Sequence, residues 1–334
     1  MTRSAELHWQ LDGITMRGTL TMPDGDGPFP GVVLVAGSGP TDRDWCSPLL
    51  PGTNGSGRLF AEAFADGGIA SLRYDKRVSG QDAAENARTL FGKLSMSSHL
   101  DELVAAVGVL ASQSSIDATR VAGLGNSEGT LHVLHYATSE HDVPFVALVL
   151  AAPPGRPIEQ ILLSQLALQA AQVPGGAELM PAVEAAAARY AAGQPMDPDP
   201  RLPDSVKMVL ASFEAPANLP LARELWIEDA TQPLRTVGIP TLVLIGRKDV
   251  QIDAVADGQP LEHAAAGNHN VTFVYPPNAN HVFKEDTRLP AEVAAAPGNG
   301  YNADGTHLDP EALDTIVGWL SRAFGLSVDA APWM

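Results

Sequence analysis

Six short, largely apolar runs constrain this chain more than any other feature: residues 31–36, 69–74, 120–124, 145–151, 241–245 and 270–275. Runs of this length without strict polar alternation read as strands buried on both faces. Most are separated by segments with apolar residues at i, i+3 and i+4, namely 59–65, 100–111, 128–137, 254–266 and 310–324. Strands joined through helices must run parallel, because a tight turn cannot return the chain in the same direction. The pattern therefore predicts a doubly wound, mostly parallel α/β sheet with helices on both faces. Ahead of it, residues 6–11 and 14–22 alternate polar and apolar side chains around Asp12-Gly13. That dipeptide accepts the left-handed backbone of a two-residue hairpin turn, so the sheet begins with an antiparallel hairpin.

One interval breaks the rhythm. Roughly 80 residues, 154–235, separate two strands, where a crossover takes a dozen residues or somewhat more. Within it, 158–172 and 181–192 are rich in Ala and Leu, 194–203 is a Pro/Asp connector, and 205–213 and 219–227 can form further helices. The chain thus divides into an α/β core, 1–153 and 236–334, and an inserted helical cap, 154–235. A second irregular stretch, 288–306, carries Ala294-Ala295-Ala296-Pro297-Gly298-Asn299-Gly300 and reads as a surface loop before the final helix.

Charge narrows the partners. Against 21 Lys and Arg stand 39 Asp and Glu, a formal net charge of −18. No basic cluster exceeds Lys76-Arg77, so neither nucleic acid nor an anionic lipid surface is an expected partner. No apolar run approaches the roughly 18 residues of a membrane span. The single cysteine, Cys46, and an opening without a signal-peptide apolar run lead to the expectation of a reducing, cytoplasmic setting.

Gly125-Asn126-Ser127-Glu128-Gly129 is G-x-S-x-G, lying between the strand 120–124 and the helix 128–137. A sharp strand-to-helix turn there would force the serine into a strained conformation with its hydroxyl exposed, and glycines would make room for the close neighbours. A nucleophilic serine needs a base, and the base needs an acid to hold its tautomer. Asp249 follows the strand 241–245, and His281 follows the last strand; both fall at strand carboxyl ends, where open α/β sheets assemble their sites. His263, His269 and His307 are misplaced for this role, and Asp253 and Asp257 are the weaker rivals to Asp249. The oxyanion of a tetrahedral intermediate needs two backbone N–H donors. They are expected from Glu128 and from Ser38, in the small-residue loop Ala36-Gly37-Ser38-Gly39-Pro40, with Gly39 as the next choice.

Other patterns carry no site. Residues 52–59 approach a phosphate-binding loop but lack its Lys and Ser/Thr, and neither Gly37-x-Gly39 nor Gly123-x-Gly125 completes a dinucleotide fingerprint. His132 and His135 lack further ligands nearby, and Cys46 has no expected histidine partner. Asp75, Lys76 and Arg77, like Asp42-Arg43-Asp44, read as an ion-pair network at the sheet edge. No cofactor and no metal are expected.

With these residues in view the sequence resembles the α/β-hydrolase superfamily over nearly its whole length. Gly37-Ser38-Gly39-Pro40-Thr41-Asp42-Arg43-Asp44, Arg73-Tyr74-Asp75-Lys76-Arg77-Val78-Ser79-Gly80 and Ser127-Glu128-Gly129 resemble the bacterial serine carboxylesterases with a helical cap. The resemblance implies cofactor-free hydrolysis of carboxylic esters, with Ser127, Asp249 and His281 as the triad and Ser38 and Glu128 as oxyanion donors. Ala36 and Asn126 depart from the family pattern, where histidines are common. The expected partner is a small to medium apolar ester, with Ile158, Ile161, Leu162, Leu163, Leu166 and Leu168 as an apolar face above the serine. The same triad would serve a lactonase, an amidase or peptidase, or an acyltransferase, and a fold of this kind can also bind a ligand without turning it over. Oligomeric state is not legible.

Overall fold

The computed structural model describes residues 2–326; Met1 and residues 327–334, which the expected core includes, lie outside the described residues. Eight strands form one sheet: β1 (Arg3–Leu11), β2 (Ile14–Met22), β3 (Phe29–Val35), β4 (Ala70–Tyr74), β5 (Ile116–Asn126), β6 (Ala147–Ala151), β7 (Thr241–Leu244) and β8 (Val271–Val274), in the order β1-β2-β4-β3-β5-β6-β7-β8. The hairpin forms as the sequence predicts. Leu11 pairs with Ile14, and Asp12 and Gly13 take φ of 50° and 80°, the double left-handed turn whose twist matches that of the strands. β2 pairs antiparallel with β4, and every later pairing is parallel.

Twelve α-helices accompany the strands among the described residues: α1 (Ser56–Asp66), α2 (Ala83–Thr89), α3 (Met96–Ala111), α4 (Glu128–Ala137), α5 (Ile158–Ala170), α6 (Met180–Ala191), α7 (Asp204–Glu214), α8 (Leu221–Trp226), α9 (Thr231–Thr236), α10 (Gly258–Ala264), α11 (Pro290–Ala295) and α12 (Pro310–Ala323). Local chemistry sets their ends. At α3, Ser95 and Ser98 cap each other's backbone N–H, and at α12 the Asp309 carboxylate accepts from Ala312 N at 2.8 Å with Pro310 in the first turn. Their apolar stripes then seal the sheet: Phe60 and Phe64 of α1, Leu103 and Leu110 of α3, and Ile316 and Leu320 of α12 are all buried in one core with Val33, Leu72, Leu124 and Val149. No helix among the described residues is long and apolar enough to cross a membrane.

Strand order locates the crevice. From β3 the chain first moves to β4 on one side, then returns to β5 on the other, so the order reverses around β3. Loops leaving β3 and β5 must diverge there, opening a cleft at their carboxyl ends. In register, Val35 lies beside Gly125, so the β3 loop and the β5 turn start level with each other.

Between β6 and β7, α5–α8 enclose a second apolar cluster that includes Leu166, Val183, Ala187, Tyr190, Leu210 and Trp226. Its aromatic rings meet edge to face, with Tyr190 and Trp226 centroids 4.7 Å apart and Phe213 and Trp226 5.1 Å apart. The Arg223 guanidinium lies 3.4 Å above the Tyr190 ring. α9, by contrast, joins the main core through Leu234.

Two expectations change. β4 is interior, so the charged residues after it do not lie at a sheet edge: Arg43 grips Asp75 (Nη2 to Oδ2 2.7 Å), Arg73 pairs with Asp44 at 2.6 Å, and Arg77 reaches Glu102 at 2.8 Å. These ion pairs bind the β3 loop and α3 to β4. Residues 288–306 are not a free surface loop either, for they contain α11 and bury Tyr301 and Asn302. Asn302 Nδ2 donates to the carbonyls of Ser47 (2.9 Å) and Leu50 (3.1 Å), and Asn54 N donates to Asn302 O at 3.0 Å. Side-chain amides satisfying loop carbonyls hold the two loops together, a contact between distant segments that local pattern does not reveal.

Candidate active site

Ser127 sits on the turn from β5 to α4 with φ 54° and ψ −122°, a conformation sparsely populated for a residue with a side chain. Its neighbours leave no room for anything but glycine at two positions. A Cβ on Gly125 would stand 2.3 Å from Gly129 O, and one on Gly129 would stand 2.4 Å from Val35 O. The strained turn is thus wedged between β3 and the first turn of α4, while Ser127 N donates to Ala151 O at 2.8 Å. The elbow geometry predicted from G-x-S-x-G is present.

Asp249 and His281 come together from separate loops. The Asp249 Oδ2 lies 2.8 Å from His281 Nδ1, and Asp249 Oδ1 accepts from Gln251 N at 2.8 Å and Ile252 N at 3.0 Å. Both oxygens are committed, so the carboxylate cannot rotate away from the ring. The turns that carry them interlock: Lys248 N donates to Ala279 O at 3.1 Å, and a Cβ on Gly246 would stand 2.0 Å from that same oxygen. Asn280 Oδ1 accepts from Val282 N and Lys284 N, each at 3.1 Å, which shapes the loop around His281. An imidazole held at Nδ1 by a carboxylate keeps one tautomer and leaves Nε2 free for proton transfer.

On the other wall, Ser38 lies in the loop after β3. The Ser38 carbonyl accepts from Thr41 Oγ1 at 2.9 Å, and a Cβ on Gly37 would come within 3.2 Å of Ser127 Cβ. The Glu128 side chain turns inward, where Lys76 Nζ lies 3.1 Å from Oε1 and His132 Nε2 lies 3.2 Å from it. Burial alone would raise the Glu128 carboxyl, but the Lys76 charge, with His132 and His99, holds it well below the usual carboxylate range. His132, buried and beside His99, is pushed down to about 4 despite the Glu128 carboxylate.

Ser127 and His281 open onto one cavity of about 480 Å³, whose walls also include Gly37, Ser38 and Asn126. α5 supplies Ile158, Ile161, Leu162 and Leu168, with Gln165 and Gln169 between them; Trp45, Leu49 and Leu50 close a second side, and Val250, Gln251, Ile252 and Tyr301 a third. Leu163 and Leu166 do not line the cavity as expected. α5 is apolar on more than one side, and these two pack against the cluster inside α5–α8. No Lys, Arg, Asp or Glu lines the cavity among the described residues.

The profile of the alpha/beta hydrolase family matches residues 32–296. The chain belongs to this family. A curated relative, Esterase EstD of Thermotoga maritima, is 28% identical over 312 residues, which make up 91% of this chain but only 65% of the relative. Among solved structures, proline iminopeptidase from Mycobacterium smegmatis superposes with a TM-score of 0.56 at 15% identity, covering 96% of this chain and 99% of its own. A Pyrococcus furiosus esterase superposes with a TM-score of 0.53 at 16% identity, covering 96% of this chain and 92% of its own. A 2,6-dihydroxy-pseudo-oxynicotine hydrolase gives 0.55 at 16%, covering 99% and 72%. These structures share the hydrolase fold.

The remaining candidates lie elsewhere in this hydrolase fold. Asp253 accepts from Val255 N and Ala256 N and serves the turn before α10, and Asp257 is buried against Arg156 at 2.9 Å. His263 belongs to α10, and His307 sits beside Glu285 at 3.4 Å. Cys46 is buried, which pushes its thiol up to about 11, with Asp42 and Asp44 adding to the effect. Three residues were not foreseen. Asn126 Nδ2 donates to His281 O at 3.1 Å, tying the histidine loop to the elbow; the departure from histidine at this position was the only signal. Tyr301 lies alongside the His281 ring, with centroids 6.4 Å apart, and Gln251 Nε2 donates to its hydroxyl at 3.3 Å.

Proposed function

We propose that this chain is a serine carboxylic-ester hydrolase acting through an acyl-enzyme on small to medium, uncharged esters. The observation that carries the reading is a serine held at φ 54° in a glycine-locked turn, in one uncharged cavity with a histidine 2.8 Å from an aspartate. The similarity to Esterase EstD supports it.

In the proposed cycle, Ser127 Oγ attacks the ester carbonyl while His281 Nε2 takes its proton. Asp249 stabilises the imidazolium through Nδ1–H. The oxyanion is met by the N–H groups of Ser38 and Glu128. His281 then gives its proton to the leaving alcohol, and the acyl-enzyme is hydrolysed by a water that the same histidine activates. The alcohol leaves with the original Ser127 proton, and the water supplies hydroxide to the acyl carbon and, through His281, a new proton to Ser127 Oγ, so the enzyme is regenerated without a cofactor. Residues 154–235, with α5–α8 at their centre, act as the cap over the core 1–153 and 236–334. An uncharged lining disfavours substrates with a free ammonium or carboxylate, because burying an unpaired charge is costly. That argues for neutral esters over peptides recognised by their amino terminus.

A series of p-nitrophenyl esters from acetyl to palmitoyl tests this reading. A cavity of this volume encloses a ligand of ordinary drug size. The expected result is a kcat/KM maximum at short or medium acyl chains, with palmitoyl at least about tenfold below it, since each excluded methylene forgoes about 0.8 kcal/mol of burial. A maximum at palmitoyl, or faster turnover of the matching anilide than of the ester, would contradict it.

A further inference from the structure

We propose that Lys76 is a positioning residue that fixes both N–H donors of the oxyanion site at once. The inference rests on the esterase reading above. Lys76 Nζ donates to Gly37 O at 2.6 Å and lies 3.1 Å from Glu128 Oε1. Each contact acts on one donor. The Gly37 carbonyl and the Ser38 N–H belong to the same planar peptide, so anchoring the oxygen sets the direction in which the N–H points. A hydrogen bond onto the carbonyl also polarises the peptide and strengthens its N–H as a donor. Glu128 carries the other N–H, at the first residue of α4, and its side chain is the second thing the ammonium holds. One buried cation therefore bridges the β3 loop and the β5 elbow across the crevice where the strand order reverses.

The surroundings make the bridge rigid. Lys76 and Glu128 side chains are each only 4% exposed, and His132 Nε2 stands 3.2 Å from the same Oε1 that faces the lysine. The Lys76 backbone is fixed in turn, its carbonyl accepting from Ser79 N at 2.9 Å and Ser79 Oγ at 3.1 Å. A buried ion pair is seldom the most stable use of such space, since two apolar side chains of similar volume often serve as well or better. The contact with Gly37 is what an apolar pair could not reproduce.

The test exploits that difference. In the double variant Lys76→Met/Glu128→Met both charges leave together, so no unpaired charge remains buried. The expected result is a melting temperature near that of the wild type, kcat per fluorophosphonate-titrated site lower by about 10- to 100-fold, and KM nearly unchanged. Affinity for a trifluoromethyl ketone, whose adduct mimics the oxyanion, falls by the same factor as kcat/KM. A double variant with wild-type kcat per titrated site would overturn the proposal and leave the pair a purely structural element. If the double variant titrates no sites because it does not fold, Lys76→Arg decides. Its planar fork keeps the charge beside Glu128 but cannot hold the same short bond to Gly37, so kcat per site falls about tenfold, and an undiminished kcat overturns the proposal. A wild type that neither cleaves esters nor takes the label would instead overturn the esterase reading on which this one rests.

Discussion

Replacing Ser127 by alanine is expected to lower kcat for ester hydrolysis by on the order of 10⁶-fold, to the floor set by the rest of the site. The magnitude follows from the role: without the hydroxyl there is no acyl-enzyme, and the remaining groups can only orient the ester toward water. A residual acceleration of about 10³ to 10⁴ over the uncatalysed reaction can survive from the oxyanion donors and binding alone. The fold should be indifferent, because the strain at φ 54° belongs to the backbone and an alanine side chain bears it as a serine does. Melting temperature and KM therefore stay near those of the wild type while turnover collapses. A loss of less than about tenfold in kcat, measured on material free of contaminating esterase, would remove Ser127 from the mechanism.

Asp249→Asn is expected to have the next largest effect, about 10⁴-fold in kcat, by the tautomer argument established for serine proteases. Asparagine fills the same space. Its oxygen can keep the bonds that Asp249 Oδ1 accepts from Gln251 N at 2.8 Å and Ile252 N at 3.0 Å. The amide nitrogen then faces His281 Nδ1 in place of the Oδ2 that stands there at 2.8 Å. A donor at that point obliges Nδ1 to accept, which moves the ring proton to Nε2 and removes the lone pair that must receive the Ser127 proton. Substrate binding does not pass through this contact, so KM should change little. Asp253→Asn is the control: that carboxylate caps Val255 N and Ala256 N on the turn before α10, and its loss should cost less than about tenfold in kcat. Equal losses in the two variants would assign the effect to disturbance of the 249–257 loop rather than to the imidazole.

What the sequence disclosed and what it withheld divide along physical lines. The Asp12-Gly13 turn, the buried strands β3, β4, β6 and β7 and α4 at Glu128–Ala137 are written in local chemistry and periodicity, and they form where those signals place them. β8, expected to be buried on both faces, instead ends the sheet and is only half-buried, because no further strand covers its outer edge. The meeting of Asp249 and His281 was legible because both follow strand carboxyl ends and the sheet topology brings those ends together. Helices α2, α9 and α11, six or seven residues each, are too short to show an amphipathic period. The helix expected over 254–266 shortens to Gly258–Ala264, because Asp253 and Asp257 bind backbone groups ahead of it. α5 was read as one apolar face when it serves two. Contacts between distant loops left no local trace: Asn302 sealing the 47–50 carbonyls, Asn126 holding the His281 carbonyl, and Lys76 spanning Gly37 and Glu128. Lys76 and Glu128 lie on different strands' loops and are far apart in sequence, so spacing could show each as a charge but not as a pair.

The central claim is that Ser127 is the nucleophile, and intact-protein mass spectrometry after treatment with a fluorophosphonate tests it most directly. The account predicts one adduct per chain on the wild type, mapped by peptide sequencing to Ser127, suppressed by excess ester substrate and absent from Ser127→Ala. A folded wild type that takes no adduct and cleaves no ester, or an adduct that maps to another residue and persists in Ser127→Ala, would contradict it.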